Sequence, residues 1–183
     1  KRFGRRTNTI ISGNSSYTAN RIKEVYDIDC DYLHPCVDAN EYKSTTNNVN
    51  NPYPNSSLMQ YVVTIGTANW AKGSMEVISM LSGTNLSLAH VGGGRPGELK
   101  TLQEHADKHD VGLWVAPKLS SDQLSLLIKQ SLAVVSMAHK EPFGLTPIEA
   151  FSIGTPAIFV NDGGFIDSIV DGESGRLISR TST

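Results

Sequence analysis

From residue 60 to residue 170 the chain alternates short apolar runs with stretches of helical periodicity. Residues 60–65, 86–91, 111–115, 132–137 and 157–160 read as strands, and 74–81, 98–109, 122–130, 147–152 and 165–170 as helices. The strand runs are apolar along their length rather than at every second position. Such strands have both faces covered, and a strand–helix–strand rhythm covers them with crossover helices. The pattern predicts an α/β fold: a doubly wound parallel sheet with helices on both faces. No internal repeat is present.

Ahead of this region, residues 8–12 read as a short strand, 14–16 as a turn and helix cap, and 17–26 as a helix with Ile22, Val25 and Tyr26 as its apolar positions. Residues 31–38 read as extended, because Pro35 moves its predecessor out of the helical region. Residues 44–57, STTNNVNNPYPNSS, carry only Val49 and Tyr53 as larger apolar side chains and are expected to be a flexible linker or surface loop. The division expected is therefore a leading segment (1–43), a linker (44–57) and an α/β block (58–183).

Composition narrows the function. With 39% hydrophobic and 19% charged residues, a chain of 183 residues can bury a sizeable core without staples. Lys and Arg total 16 against 18 Asp and Glu, a net charge of −2, so no global electrostatic case for nucleic acid exists. Every apolar run is too short to span a bilayer. The basic start, residues 1–6, is followed by none of the apolar length a signal peptide needs. Cys30 and Cys36 make neither a disulfide framework nor a zinc site, and cytosolic chemistry is expected.

In a sheet of this kind ligands bind at the carboxyl ends of the strands, where helix N-termini present N–H groups. After the first strand of the block comes 66–73, GTANWAKG: Gly66 and Thr67 follow the strand and Lys72 stands at the mouth of the next helix. A cation there can meet phosphate charge, although a solvated lysine would read the same. The turn at 92–97, GGGRPG, fits G-x-G-x-x-G, but it follows the second strand. The next strand also ends Trp114-Val115-Ala116-Pro117, without the acid that holds a dinucleotide ribose. It reads as a tight turn that lets a ligand or backbone come close.

The turn at 140–150, KEPFGLTPIEA, carries two carboxylates. Glu141 lies just past a strand, where a sugar or phosphate would sit. Glu149 lies on the helix and completes a capping box, with Thr146 as N-cap and Pro147 at N1. Glu141 has no comparable structural role and is the sharper functional candidate. The turn at 161–165, NDGGF, again allows close backbone approach. His105 and His109 stand four apart without a third metal ligand and read as solvated helix residues, while His139 sits beside the Glu141 turn. Asn14, Asn55 and Asn85 lie in N-x-[ST] sequons, a motif too short to carry weight without a secretory signal. Trp70 either covers its own turn or packs against a ligand.

Glu141 to Glu149 is E-x7-E in the form EPFGLTPIE, and GTPAIFVNDGGFIDSIVDGESGRLI follows over 154–178. This combination resembles the donor-binding half of the retaining GT-B glycosyltransferases of family 4, with the mannosyltransferases of polysaccharide and glycan assembly as the nearest members. Residues 12–38 resemble the segment that ends the family's N-terminal domain. Residues 66–73 stand where the family has G-R-x-x-x-x-K-G, and 91–94 match its V-G-x-G turn.

The resemblance implies a Rossmann-like, three-layer α/β/α domain, the C-terminal half of a GT-B fold. It implies binding of a nucleoside diphosphate sugar and transfer of its hexosyl group (mannose from GDP-mannose in the nearest members) to a glycan or lipid-linked acceptor, with retention. Glu141 would bind hydroxyls of the donor sugar, and the amides of Phe143, Gly144 and Leu145 the sugar and diphosphate. Glu149 would hold the ribose, Lys72 with the Gly66–Thr67 turn the diphosphate, and backbone at 115–118 the base. No metal and no cofactor are implied, since cations and helix N-termini take their place; no nucleic acid is implied either. Acceptor contacts and any contact with the cytoplasmic face of a membrane would come through an N-terminal domain, making this chain a fragment inactive alone.

Two departures matter: the chain holds about one of the family's two Rossmann-like domains and is expected to be truncated at its C-terminus, and Thr67 stands where the family has arginine. Loss of that contact to the leaving group would cost ~2–4 kcal/mol of transition-state stabilisation, with Arg95 and Lys118 as candidates to offset it. Two other readings remain open: a non-catalytic sugar-nucleotide-binding or scaffold domain, motivated by Thr67, and an NAD-binding domain, motivated by the 92–97 glycines.

Overall fold

The computed structural model describes residues 10–38, 49–54 and 60–180. After helix α1 (Ser16–Tyr26) the elements run β1 (Tyr61–Ile65), α2 (Ser74–Leu81), β2 (Ser87–Val91), α3 (Pro96–Lys108), β3 (Leu113–Val115), α4 (Ser121–Lys129), β4 (Val134–Ser136), α5 (Thr146–Ile153), β5 (Ala157–Val160), α6 (Phe165–Ser168) and β6 (Arg176–Ile178). The six strands form one sheet in the order β3-β2-β1-β4-β5-β6, with every pairing parallel. The expected doubly wound parallel sheet is thus present, and its order reverses between β1 and β4. At such a switch point the connections leave in opposite directions and open a crevice beyond the strand ends.

The apolar runs explain the layers. Tyr61, Val62, Val63 and Thr64 are all buried, so β1 is covered on both faces. Leu88 and Ala89 of β2, Val134 of β4 and Phe159 of β5 continue the core, with Val77 and Ile78 from α2, Leu102 from α3 and Leu127 and Ile128 from α4. Burial of each such valine, leucine, isoleucine or phenylalanine side chain contributes about 1.5–3 kcal/mol. Helix α4 starts as its sequence dictates: the Ser120 hydroxyl accepts from the Gln123 amide, and the Gln123 side chain accepts from the Ser120 amide.

Three sequence expectations change. Residues 10–12 are not a strand, while 8 and 9 lie outside the described residues. Gly13 makes a single parallel bridge to Tyr32 through Gly13 N–H to the Asp31 carbonyl and Leu33 N–H to the Gly13 carbonyl. A strand needs a partner along its length, and here one residue has one. Strand β6 was not expected: three residues headed by an exposed arginine carry little periodic signal, and the pairing of Leu177 with Phe159 creates the edge. The third concerns the linker, of which 49–54 are described. Tyr53 is buried, stacks on Tyr61 at 4.1 Å between ring centroids, and meets Trp114 edge-on at 5.4 Å. Two tyrosines and a tryptophan bring this part of the polar stretch onto the core.

Asn51 holds that contact in place. Its amide donates to the Tyr61 hydroxyl (2.9 Å) and to Gln130 (2.7 Å), and its side-chain oxygen accepts from the Tyr53 amide (2.9 Å). Asn51→Ala is expected to lower stability by about 1–2 kcal/mol, read as a lower urea midpoint at unchanged slope.

Candidate functional site

The crevice between β1 and β4 is walled by the loops that leave those two strands. The β1 loop begins at Gly66, whose amide donates to the Val91 carbonyl and whose φ is +149°. A Cβ there would press on the Lys72 side chain, so glycine lets that chain lie along the turn. Thr67 is exposed, and its hydroxyl accepts from the Asn69 amide at 2.6 Å. Asn69 Oδ1 is buried and lacks a hydrogen-bond partner. A 3-10 turn over Trp70–Lys72 follows, closed by Gly73 in the left-handed region.

The β4 loop is pinned at several points. Its His139 amide donates to the Ala71 carbonyl (2.8 Å), which joins the two loops directly. Lys140 adopts φ +49° and donates its amide to Asp162 Oδ2 (3.1 Å), while the Glu141 carbonyl accepts from Gly164 N–H (2.7 Å). A left-handed non-glycine residue costs about 1 kcal/mol or more and persists where its surroundings hold it. Phe143 is buried, and Gly144, at φ +80°, lies where a Cβ would strike the Phe165 ring.

These loops bring together the two sharpest sequence candidates. Lys72 Nζ lies 2.7 Å from Glu141 Oε2, although 69 residues separate them. The side chains are 36% and 22% exposed, so the pair is accessible but only partly hydrated. Glu149 lies half-buried in the first turn of α5, and Leu145 opens that helix. The capping box expected at Thr146 is absent. Leu145 takes the N-cap position with helical dihedrals and no side chain caps the end, so Thr146 is already inside the helix. A hydroxyl caps only from an extended N-cap residue.

Beyond β2 and β3 lies an open cavity of about 410 Å³, lined by Gly92, Gly93, Pro117, Lys118, Leu119 and Leu124 among others. Lys118 is on its wall, whereas Arg95 sits exposed at the start of α3 with its amide bonded to Glu98. A larger depression, about 650 Å³, lies against the other ends of β5 and β6 and includes neither Lys72 nor Glu141. His90 supports the Gly92–Gly93 turn. It is fully buried, with Nε2 3.1 Å from the Gly93 carbonyl oxygen and Nδ1 3.4 Å from the Ser74 hydroxyl. Burial pushes its pKa below the usual histidine value of 6.5, and the bond to Gly93 only partly opposes this. The unfolded chain therefore takes up a proton first. The stability due to a neutral His90 is full above pH 6.5 and is lost as pH falls from there through the depressed folded value. Urea midpoints are expected to drop between pH 7.5 and 5.5, with a smaller drop in His90→Gln.

Sequence reasoning missed several residues around the site. Arg180 reaches the β4 loop from beyond β6, and Glu76 on α2 pairs with both Arg180 and His139. Asp167 of α6 accepts from the Ser16 amide and hydroxyl and pairs with His34, whose ring lies 5.1 Å from Phe143. These contacts seat the leading segment on the β4 loop. None has a local signature, because each joins residues more than 40 positions apart. His105 and His109 lie with rings 4.4 Å apart, and His105 bonds to Ser79. Among the described residues, no group of three or more His, Cys, Asp or Glu could hold a metal, and no helix is long and apolar enough to cross a membrane.

The sequence model of the family described as glycosyl transferases group 1 matches residues 51–183. Glycogen synthase of Mycobacterium tuberculosis (strain H37Rv) is 30% identical over 120 residues, which are 61% of this chain and 28% of that protein. Alpha-1,3/1,6-mannosyltransferase ALG2 of Dictyostelium discoideum is 33% identical over 63 residues, 34% of this chain and 15% of that one. The chain thus spans less than a third of either curated relative. Among solved structures, Anabaena Alr3699/HepE in complex with UDP-glucose superposes with a TM-score of 0.76 at 17% identity, covering 93% of this chain and 50% of that one.

Proposed function

This chain belongs to the group 1 glycosyl transferases, with the fold of a GT-B C-terminal domain, and from that premise we propose that it binds the nucleoside diphosphate sugar of a retaining hexosyl transfer. The observation that carries the reading is the Lys72–Glu141 pair, set across the switch point of the sheet. In transfer, the bond from the anomeric carbon to the diphosphate oxygen breaks and a bond to an acceptor hydroxyl forms on the same face of the ring. Lys72 and the amides of Phe143, Gly144 and Leu145 take up the charge on the departing diphosphate. Glu141 orients the sugar hydroxyls and Glu149 the ribose. The cavity beyond β2 and β3 takes the base. Lys72 and the start of α5 supply positive potential without a divalent ion, so binding is expected to survive EDTA.

The acceptor is a glycan or lipid-linked sugar met through a further domain, as in cytoplasmic glycan assembly, and mannose from GDP-mannose is the first donor to test. Calorimetric titration with GDP, UDP, ADP and NAD decides. One nucleoside diphosphate should bind, and Glu149→Ala should weaken it about tenfold or more. Binding of NAD alone, or of none, overturns the reading. Thr67, bonded to Asn69 in place of a cation, favours a second reading: a domain that binds donor without turnover. Transfer by the full-length protein excludes it.

A further inference from the structure

A side chain beyond the far edge strand of the sheet reaches the loop that carries Glu141. Arg180 follows β6, and its guanidinium crosses the end of β5 to the loop after β4. There Nη2 donates to the Met137 carbonyl at 2.9 Å and to the Ala138 carbonyl at 3.3 Å. Nη1 pairs with Glu76 Oε1 and lies 3.0 Å from His139 Nε2. Asp162, which accepts the Lys140 amide, stands 3.9 Å from Nη2.

Met137 and Ala138 are buried, and their carbonyls emerge where β4 has ended. Buried carbonyls need donors. Arginine suits the place because its planar fork gives several N–H groups in fixed directions and stays charged. The same guanidinium engages Glu76 in the first turn of α2 and His139 in the loop itself. His139 in turn joins the β1 loop by its amide to Ala71 and by its ring against Trp70, 5.2 Å away. Arg180, Glu76 and His139 therefore lock the loop of Glu141 against the loop of Lys72.

We propose that Arg180 is a positioning residue for the donor site, setting the β4 loop so that Glu141 faces Lys72. This rests on the donor-binding reading above. A lysine could replace the charge of Arg180, but its single nitrogen could not hold the two carbonyls and Glu76 together, as Nη2 and Nη1 do.

The test compares Arg180→Gln, Arg180→Lys and Glu76→Gln with the parent chain in two measurements. The first, hydrogen exchange without ligand, is independent of function. The amides of Lys140 and Gly164 should exchange at least tenfold faster in Arg180→Gln, with those of α3 unchanged. Glu76→Gln should shift the same amides less, and Arg180→Lys should not restore them. The second is calorimetric affinity for UDP, GDP and ADP, expected to fall about tenfold in Arg180→Gln. In the full-length enzyme the donor KM should rise more than kcat falls. Unchanged exchange at Lys140 and Gly164, an equal rise throughout the chain, or full rescue by Arg180→Lys overturns the proposal. If the parent binds none of the three nucleotides, the donor-binding reading falls, and with it the role at a donor site. Exchange would then report only the Arg180 contact with the loop.

Discussion

On the donor-binding reading proposed above, Lys72→Ala is expected to reduce sugar transfer about 10²–10³-fold, through kcat, while leaving the fold intact. The charge that develops on a departing diphosphate has to be met by groups already in place, and removing one such donor costs about 2.7–4 kcal/mol in comparable sites. Lys72 stands on the 3-10 turn at the mouth of the crevice, and Thr67, where the resemblance leads one to expect a second cation, carries no charge. The structural part of the Lys72–Glu141 pair is small by comparison. With 36% and 22% of the side chains exposed, solvent screens it, and its loss should cost about 1 kcal/mol or less. Unfolding and turnover measured together separate the two effects. A fall of less than fivefold in kcat would remove Lys72 from the chemistry.

Gly73→Ala is expected to be the most destabilising single methyl in the described structure, at about 3–5 kcal/mol. Gly73 has φ +69°, and its Cβ would lie on the Met137 carbonyl oxygen, with the Met137 carbonyl carbon and side chain close behind. The dihedral alone costs about 1 kcal/mol or more for alanine. The rest arises because the obstacle is backbone, in the loop that Arg180 also grips, and cannot step aside. Gly83→Ala isolates the first component: its φ is +76° and nothing lies within 4 Å of the added carbon. That variant should lose only about 1 kcal/mol. At about 2–4 °C of melting temperature per kcal/mol for a chain of this size, Gly73→Ala should melt roughly 10 °C lower and Gly83→Ala only a few degrees lower. Equal losses would place the whole effect in the dihedral and none in the packing.

Much of the sheet was legible from residue order. Strands β1, β2 and β5 announced themselves by continuous apolar runs, and Ser120 and Gln123, three apart, are the local pattern that caps α4. Thr146-Pro147-Ile148-Glu149 has an equally good capping pattern and does not cap. The preceding Leu145 already has helical dihedrals, so it and not Thr146 stands at the N-cap. A local motif proposes a cap, and the incoming backbone accepts or refuses it. Residues 44–57 read as polar and unable to order, yet Tyr53 found Tyr61 and Trp114. Composition counts apolar side chains without knowing that a single tyrosine has a slot waiting.

By itself the sequence determined the alternation of apolar runs and helical stretches, and hence the parallel sheet. It also placed Gly66, Lys72, Glu141 and Glu149 in turns and at helix starts beyond strand ends, because spacing and propensity act over a few residues. Only the tertiary structure decided that Lys72 meets Glu141, that Asp167 anchors Ser16 and His34, and that Arg180 holds the carbonyls of Met137 and Ala138. Those contacts join residues 42 to 151 positions apart. Their partners are chosen by strand order and by which buried polar groups lack a donor once the sheet has closed, and neither is written in any local stretch of the chain.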